Sequence, residues 1–157
     1  MRYQFTIDAD HFQFYLEDDT IERDTSLLWS DQAHKDRLDV LPGLIAVATE
    51  RFGGKVAVAI EVVPSEPIDP GFAAWDHVVE CCLEVEAERV LLTSAESDIS
   101  NAPEVPLPPG TYRARVYYGN LDSVSDELDL QGDDHYRIVL WPGAPMEPRV
   151  LKRKPPP

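Results

Sequence analysis

The sequence predicts a mainly β protein, an antiparallel β-sandwich or an open barrel of about seven to eight strands with one short helix. Two observations support this fold class. Apolar and polar residues alternate with a period of two over several segments, as they do in a sheet that has one face in water. Proline and glycine recur between these segments, so that few windows are long enough for a helix.

The first two strands are marked by aromatic residues. Residues 3–7 and 12–16 carry alternating aromatic side chains and flank the turn-rich residues 8–11. This pattern predicts an opening pair of strands.

The next three predicted elements are a short helix and two strands: residues 31–38, 44–49 and 56–63. Ser30 or Asp31 can cap the helix, since each side chain can accept a hydrogen bond from a free N–H group of the first turn. Gly53 and Gly54 lie between the two apolar strands, which predicts a hairpin.

Strict alternation over residues 75–86 predicts a strand with one face in the core. The inward set runs from Trp75 and His77 to Val85 and includes Cys81, whereas the outward set contains Cys82 and is largely acidic. Residues 111–118 alternate in the same way, with Arg113 and Arg115 pointing outward. Cross-strand pairing with the acidic face, Glu80, Glu84 and Glu86, is the simplest use of these two arginines.

Residues 90–92 are a further short strand candidate, and residues 136–141 supply the last predicted strand, which Pro142-Gly143 ends. We therefore expect a single β-sandwich domain over residues 1–143. Residues 144–157 contain four bases and a proline-ended terminus, and they predict a flexible basic tail.

Charge is the most unusual global property of the chain. Its formal net charge is −15, and residues 1–148 hold 29 acids against 10 bases. A field of this sign repels nucleic acids and anionic membranes and speeds the encounter with a cationic partner. We therefore expect a basic protein partner, no nucleic acid and no membrane. Solubility alone is the alternative explanation for the acidity.

The cysteines and the chain start bear on location. Cys81 and Cys82 are adjacent, which strains a mutual disulfide and does not match the spacing of zinc or redox motifs. The first residues lack an apolar stretch of signal-peptide length, and no run of about 18 apolar residues occurs. We expect a cytoplasmic protein with reduced thiols.

The loop over residues 119–134 is the densest charge cluster. It holds six acids and no base: Asp122, Asp126, Glu127, Asp129, Asp133 and Asp134. Three interpretations stay open, namely a surface for a basic partner, a cation site and a solvated loop. The spacing of an EF-hand is absent, so that calcium has weak support.

No catalytic motif occurs in the chain. It lacks a nucleophile elbow, a phosphate-binding glycine loop, a metalloprotease motif and a dinucleotide fingerprint. A carboxylate pair such as Glu61 and Glu80 is a weak basis for glycosidase chemistry in a chain with 29 acids. We expect no enzyme activity, no cofactor and no metal.

Several short motifs resemble those of the bacterial competence-associated nuclease inhibitors, which act on the nuclease of DNA uptake. In chain order the matching segments are His11-Phe12-Gln13-Phe14, Trp29-Ser30-Asp31-Gln32-Ala33, Pro42-Gly43-Leu44-Ile45, Leu107-Pro108-Pro109-Gly110-Thr111-Tyr112 and Asp134-His135-Tyr136-Arg137-Ile138. Their order and spacing over residues 11–141 carry the resemblance. It implies a β-sandwich that binds a nuclease and blocks it, where acidity helps the inhibitor compete with DNA for a basic cleft.

The sequence thus predicts an acidic protein-binding module, and more specifically an inhibitor of a nuclease or toxin that has a basic active-site cleft. The predicted partner-binding residues are the six loop acids together with Glu80 and Glu84 on the adjacent strand face. The alternatives are a calcium- or carbohydrate-binding β-sandwich module, in which the same loop binds the ion, and a sandwich with no catalytic role.

Overall fold

The computed structural model describes residues 1–68, 71–95, 98–126 and 130–155. These residues contain one α-helix, α1 (Asp31–Asp36), and eleven strands. The strands in chain order are β1 (Arg2–Ala9), β2 (Gln13–Glu17), β3 (Leu38–Leu41), β4 (Leu44–Ala48), β5 (Gly54–Val62), β6 (His77–Val85), β7 (Arg89–Thr93), β8 (Glu104–Pro106), β9 (Gly110–Gly119), β10 (His135–Pro142) and β11 (Arg149–Lys152).

Two sheets face each other. One has six strands in the order β1-β5-β10-β9-β6-β11, and the other has five in the order β3-β4-β2-β7-β8. Among the described strand pairs, β5–β10 is parallel and the others are antiparallel. Phe14 of one sheet meets Tyr136 of the other edge to face at 5.5 Å, in a core that excludes water. The predicted sandwich is confirmed, and the sheets do not close into a barrel.

The assignment of strands to sheets differs from the sequence prediction at two turns. β1 pairs with β5 and β2 pairs with β4 and β7, so that the expected opening pair meets through the single bridge Asp10–Gln13. Gly53 and Gly54 lead from one sheet to the other and do not form a hairpin. Turn residues show where the chain changes direction, whereas the partner of each strand is decided by core packing.

Three short strands were missed: β3, β8 and β11. Each has three or four residues, which is too few to show a period of two. The helix is shorter than the predicted 31–38, because Arg37 adopts a left-handed φ of 61° and ends it. β11 pairs with β6, so that this part of the predicted tail is an edge strand of the larger sheet.

Candidate protein-binding surface

The acidic loop begins at the end of β9 and is tied to the body at both ends. Asn120 turns the chain with a left-handed φ of 56°, and Leu121 is buried. The N–H of Leu121 donates to the Asp76 carboxylate at 2.8 Å. On the returning side, the N–H of Asp133 donates to the Ser123 hydroxyl at 2.8 Å. These bonds give the two limbs of the loop a defined position.

A buried ion pair holds the returning limb. Arg51 contacts Asp134 at 2.9 Å, with the two side chains 5% and 0% exposed, in an ionic contact that lacks good hydrogen-bond alignment. The guanidinium also donates to the carbonyls of Leu130 and Gly132, at 2.9 and 3.4 Å. A lone buried charge is costly, so that this arginine and this carboxylate require each other.

Asp134 is part of the core and not of the binding surface predicted for it. Its carboxylate accepts the hydroxyl hydrogen of Tyr136 at 2.7 Å, and that hydroxyl accepts the N–H of Glu50 at 3.0 Å. Burial and the neighbouring Asp134 charge raise the pKa of Tyr136 well above its ordinary value. The number of acids in the loop does not indicate that Asp134 is buried, because its partner Arg51 is far away in the sequence.

Of the other loop acids, Asp122, Asp126 and Asp133 are exposed. Glu127 and Asp129 lie outside the described residues. Asp122 is 86% exposed and contacts the Lys154 ammonium at 2.9 Å. Three of the six predicted loop residues therefore lie at the surface of the described structure.

The strand face predicted to join this surface does not do so. Glu80 is buried and receives two hydrogen bonds from Arg115, at 3.0 and 2.9 Å, and one from Arg113 at 3.3 Å. The cross-strand pairing expected for these arginines is present at Glu80, and it neutralises the charge of this carboxylate. Glu84 accepts the N–H of Gly43 at 2.9 Å. Because Glu84 is seven residues along β6 from His77, which adjoins the loop, it lies about 23 Å from that end.

Aromatic residues, which the sequence prediction did not include, lie at the same end of the sandwich. His11 and Phe12 have φ values of 52° and 64° in the turn between β1 and β2. Bulky residues seldom adopt this left-handed conformation, so that the turn is strained and must be held by its surroundings. Phe12 donates its N–H to Phe52 at 2.9 Å and accepts that of Thr49 at 2.7 Å. Both aromatic rings pack edge-on against Phe52, at 5.1 and 5.3 Å.

The acidic loop reaches this aromatic group through Leu130, which is 57% exposed. A Cβ on Gly54 would clash with the Leu130 carbonyl oxygen, and Gly54 has a φ of +88°. Only glycine therefore lets the loop rest against the turn that carries Phe52. We call the resulting surface the acidic tip; its members are His11, Phe12, Phe52, Asp122, Asp126, Leu130 and Asp133.

The basic segment after β11 folds back towards the acidic loop. Besides the contact of Lys154 with Asp122, the Lys154 N–H donates to the His77 ring at 3.0 Å. Arg153 pairs with Asp36 at 2.7 Å. Residues 149–154, which are part of the predicted basic tail, thus link β6, α1 and the loop.

Within the described residues, no group of three or more His, Cys, Asp or Glu side chains is arranged to hold a metal ion. The same residues include no helix with the length and apolar character needed to cross a bilayer. Cys81 and Cys82 are free thiols, and burial raises the pKa of Cys81.

Comparison with models of known protein families gives no match, and none of the curated proteins matches the sequence. Two solved structures share the fold. ComJ from Bacillus subtilis, described as an inhibitor of the DNA-degrading activity of NucA, aligns with a TM-score of 0.66 and 16% identity over 91% of this chain and 99% of its own. The protein described as crocagin biosynthetic gene J aligns with a TM-score of 0.60 and 12% identity over 92% of this chain and 98% of its own. The resemblance predicted from the motifs is confirmed at the level of the fold, which this chain shares with the nuclease inhibitor ComJ.

Proposed function

We propose that this chain is a protein-binding module. Its acidic tip binds a basic surface of a nuclease or toxin and thereby inhibits that partner. The observation that carries the proposal is the juxtaposition at one end of the sandwich. Exposed carboxylates of Asp126 and Asp133 lie on a loop that Arg51 holds in place, beside the exposed Leu130 and the aromatic turn.

The two kinds of side chain have separate roles in binding. Carboxylates attract a cationic partner over long distances and raise the association rate. Aromatic and leucine side chains supply buried contact area once the partner is in place. The cleft in which a protein binds nucleic acid is lined with Lys and Arg side chains. Carboxylates can pair with these side chains in place of the phosphates. The fold shared with ComJ supports a role in inhibition, and no catalytic role is proposed.

Charge reversal at the tip tests the proposal. The variant Asp126→Lys/Asp133→Lys is compared with Glu22→Lys/Glu86→Lys, which changes two exposed acids at the opposite end and alters the net charge equally. Immobilised wild-type chain recovers the partner from lysate, and the purified partner is used for association rates and for assays of DNA degradation. We expect the tip variant to associate about tenfold more slowly and the control variant to change little.

Two further results bear on the mechanism. The wild-type association rate falls as NaCl is raised, because salt screens the exposed charges. Saturating wild-type chain stops DNA degradation by the partner. An unchanged association rate in the tip variant, or a bound partner that stays active, contradicts the proposal.

A further inference from the structure

Within the described residues the two sheets have four edge strands, and only one of these four is long. β3 has four residues, β8 has three and ends at Pro106, and β11 has four with a shift of register between Val150 and Lys152. Short strands, proline and bulges are the usual means by which a protein prevents pairing at a sheet edge. β1 has eight residues and contains neither proline nor glycine. β1 is therefore the edge strand of the described sheets that can still pair with a further strand.

The free edge of β1 presents a defined set of backbone groups. Met1 and Val62 exchange two hydrogen bonds, both 2.8 Å long, and so form a hydrogen-bonded pair. Because such pairs alternate along an antiparallel ladder, every second residue of β1 bonds to β5 and the others point their N–H and C=O groups away from it. The outward set is Arg2, Gln4, Thr6 and Asp8. No strand of the described residues pairs with β1 on that side.

This outward set is self-complementary. An antiparallel second β1 centred on Phe5 brings Arg2 opposite Asp8 of the second copy and Gln4 opposite Thr6 of the second copy. All four outward residues then fall in hydrogen-bonded positions, and each end carries an opposite-charge pair. The Asp8 carboxylate is available for it, since its 3.6 Å contact with Lys55 joins side chains that are 70% and 71% exposed.

The core side of β1 matches in the same register. Tyr3 and Phe5 stack on each other at 6.2 Å and are only partly buried, at the open edge of the core. The second copy places Phe5 against Phe5 and Tyr3 against Ile7 across the new pair. Aromatic and β-branched cross-strand pairs are among those that stabilise sheets.

We propose that this chain forms a symmetric dimer in which β1 pairs with β1 of a second copy, joining two six-stranded sheets into one of twelve strands. The same surface serves both copies, as two-fold symmetry requires. The dimer is weak because one strand pair buries little area. Repulsion between two chains of net charge −15 also opposes it, so that added salt strengthens association. The proposal is independent of the function of the acidic tip.

Sedimentation equilibrium from about 1 µM to about 1 mM protein tests the dimer. We expect the average mass to rise with concentration from 17.7 kDa toward twice that value, and to rise further at about 0.3 M NaCl. The variant Thr6→Pro removes an outward N–H and leaves every β1–β5 bond in place. It should weaken association at least about tenfold, whereas the control Thr6→Ala keeps the N–H and should dimerise as the wild type does.

A charge-swap series gives an independent test. Asp8→Arg places two arginines opposite each other and should weaken the dimer, and adding Arg2→Asp should restore it, since each variant end then meets its opposite charge. Circular dichroism melting confirms that each variant is folded. If Thr6→Pro unfolds, the charge-swap series decides. A wild type that stays at 17.7 kDa throughout, a folded Thr6→Pro variant that dimerises normally, or a double variant as weak as Asp8→Arg overturns the proposal.

Discussion

At the scale of single residues, Asp18 shows how a buried acid contributes to a negatively charged fold. Its side chain is inaccessible to solvent and accepts four hydrogen bonds: two from Thr20, at 2.9 and 2.6 Å, and one each from the N–H groups of Glu86 and Ala87, at 2.7 and 2.9 Å. Burial by itself raises the pKa of this carboxyl, but the hydrogen bonds outweigh it and lower the pKa to about 2.

Asp18→Asn should therefore destabilise the fold by about 2 kcal/mol at neutral pH. An amide NH₂ group in place of one carboxylate oxygen would face two N–H donors, those of Glu86 and Ala87, and in place of the other it would face the N–H donor of Thr20. The pKa of Asp18 is lower in the folded than in the unfolded chain, so that its contribution is complete above about pH 4 and is lost as the pH falls toward about 2. Urea unfolding at several pH values measures this.

Glu22→Gln is the matched control for this prediction, because it removes one charge from an exposed position in the same loop. We expect it to leave the free energy of unfolding nearly unchanged. A difference between wild type and Asp18→Asn that stays constant from neutral pH down to about pH 2 contradicts the explanation.

The residues of the candidate surface were partly predictable. Position in a polar loop correctly indicated that Asp122, Asp126 and Asp133 are exposed. The same reasoning failed for Asp134, because its burial depends on Arg51, a residue that only the folded chain brings near. The alternation of residues correctly predicts the face of the strand on which Glu80 lies. At this position, however, the arginine partners of Glu80 cover the face and bury the carboxylate.

At the scale of elements, local signals located most strands and missed their arrangement. Alternation over β6 and β9 gave both the strands and their inward residues, and Cys81 and Tyr118 lie in the core as expected. The parallel pairing of β5 with β10 has no local signal, since 72 residues separate Val62 from His135 in the chain, and the two strands meet only through the core they share.

β11 and the residues after it form an element whose attachment depends on His77. The Lys154 N–H donates to Nδ1 of this ring, so Nε2 carries the hydrogen and donates to the Asp36 carbonyl at 2.8 Å. Burial lowers the pKa of His77, and the charges of Arg37 and Arg153 lower it further. The neutral ring is therefore the form that holds the chain after β11 in place.

Acidification should release this attachment. A proton on Nδ1 of His77 replaces the acceptor of the Lys154 N–H with a second donor. Because the folded state favours the neutral ring, its stabilising effect is present above about pH 6.5 and is lost as the pH falls below that value. After correction for the effect of pH on the intrinsic exchange rate, we expect the Lys154 amide to be less protected from hydrogen exchange at about pH 5 than at about pH 7.

The exposed His34 provides the control, since His34→Gln should leave this pH dependence unchanged. His77→Phe, which cannot be protonated or accept a hydrogen bond, should make Lys154 exchange fast at every pH. Protection of Lys154 that is the same at pH 5 and at pH 7 in the wild type contradicts the assignment of this ring as the switch.

At the scale of the whole molecule, the acids outnumber the bases that could pair with them. Most bases are held in contacts with particular acids, including the buried Arg51 and the half-buried Arg137, which pairs with Glu61 at 2.6 Å. Of the described acids without a base partner, several lie on exposed loops at the two ends of the sandwich, as Glu86 and Asp133 do. Self-repulsion between these groups acts against the compact state.

Screening of this repulsion should raise stability. A gain of about 1 kcal/mol on going from about 0.02 M to about 0.5 M NaCl corresponds to a rise in Tm of about 2–4 °C for a chain of this size. Calorimetry near 1 µM, a concentration at which a weak dimer dissociates, keeps dimer formation out of the measurement. In Glu22→Lys/Glu86→Lys the net charge is smaller by four, so that its Tm should depend less on salt. A wild-type Tm that falls as NaCl is added would show that attraction within the ion pairs exceeds repulsion among the exposed acids.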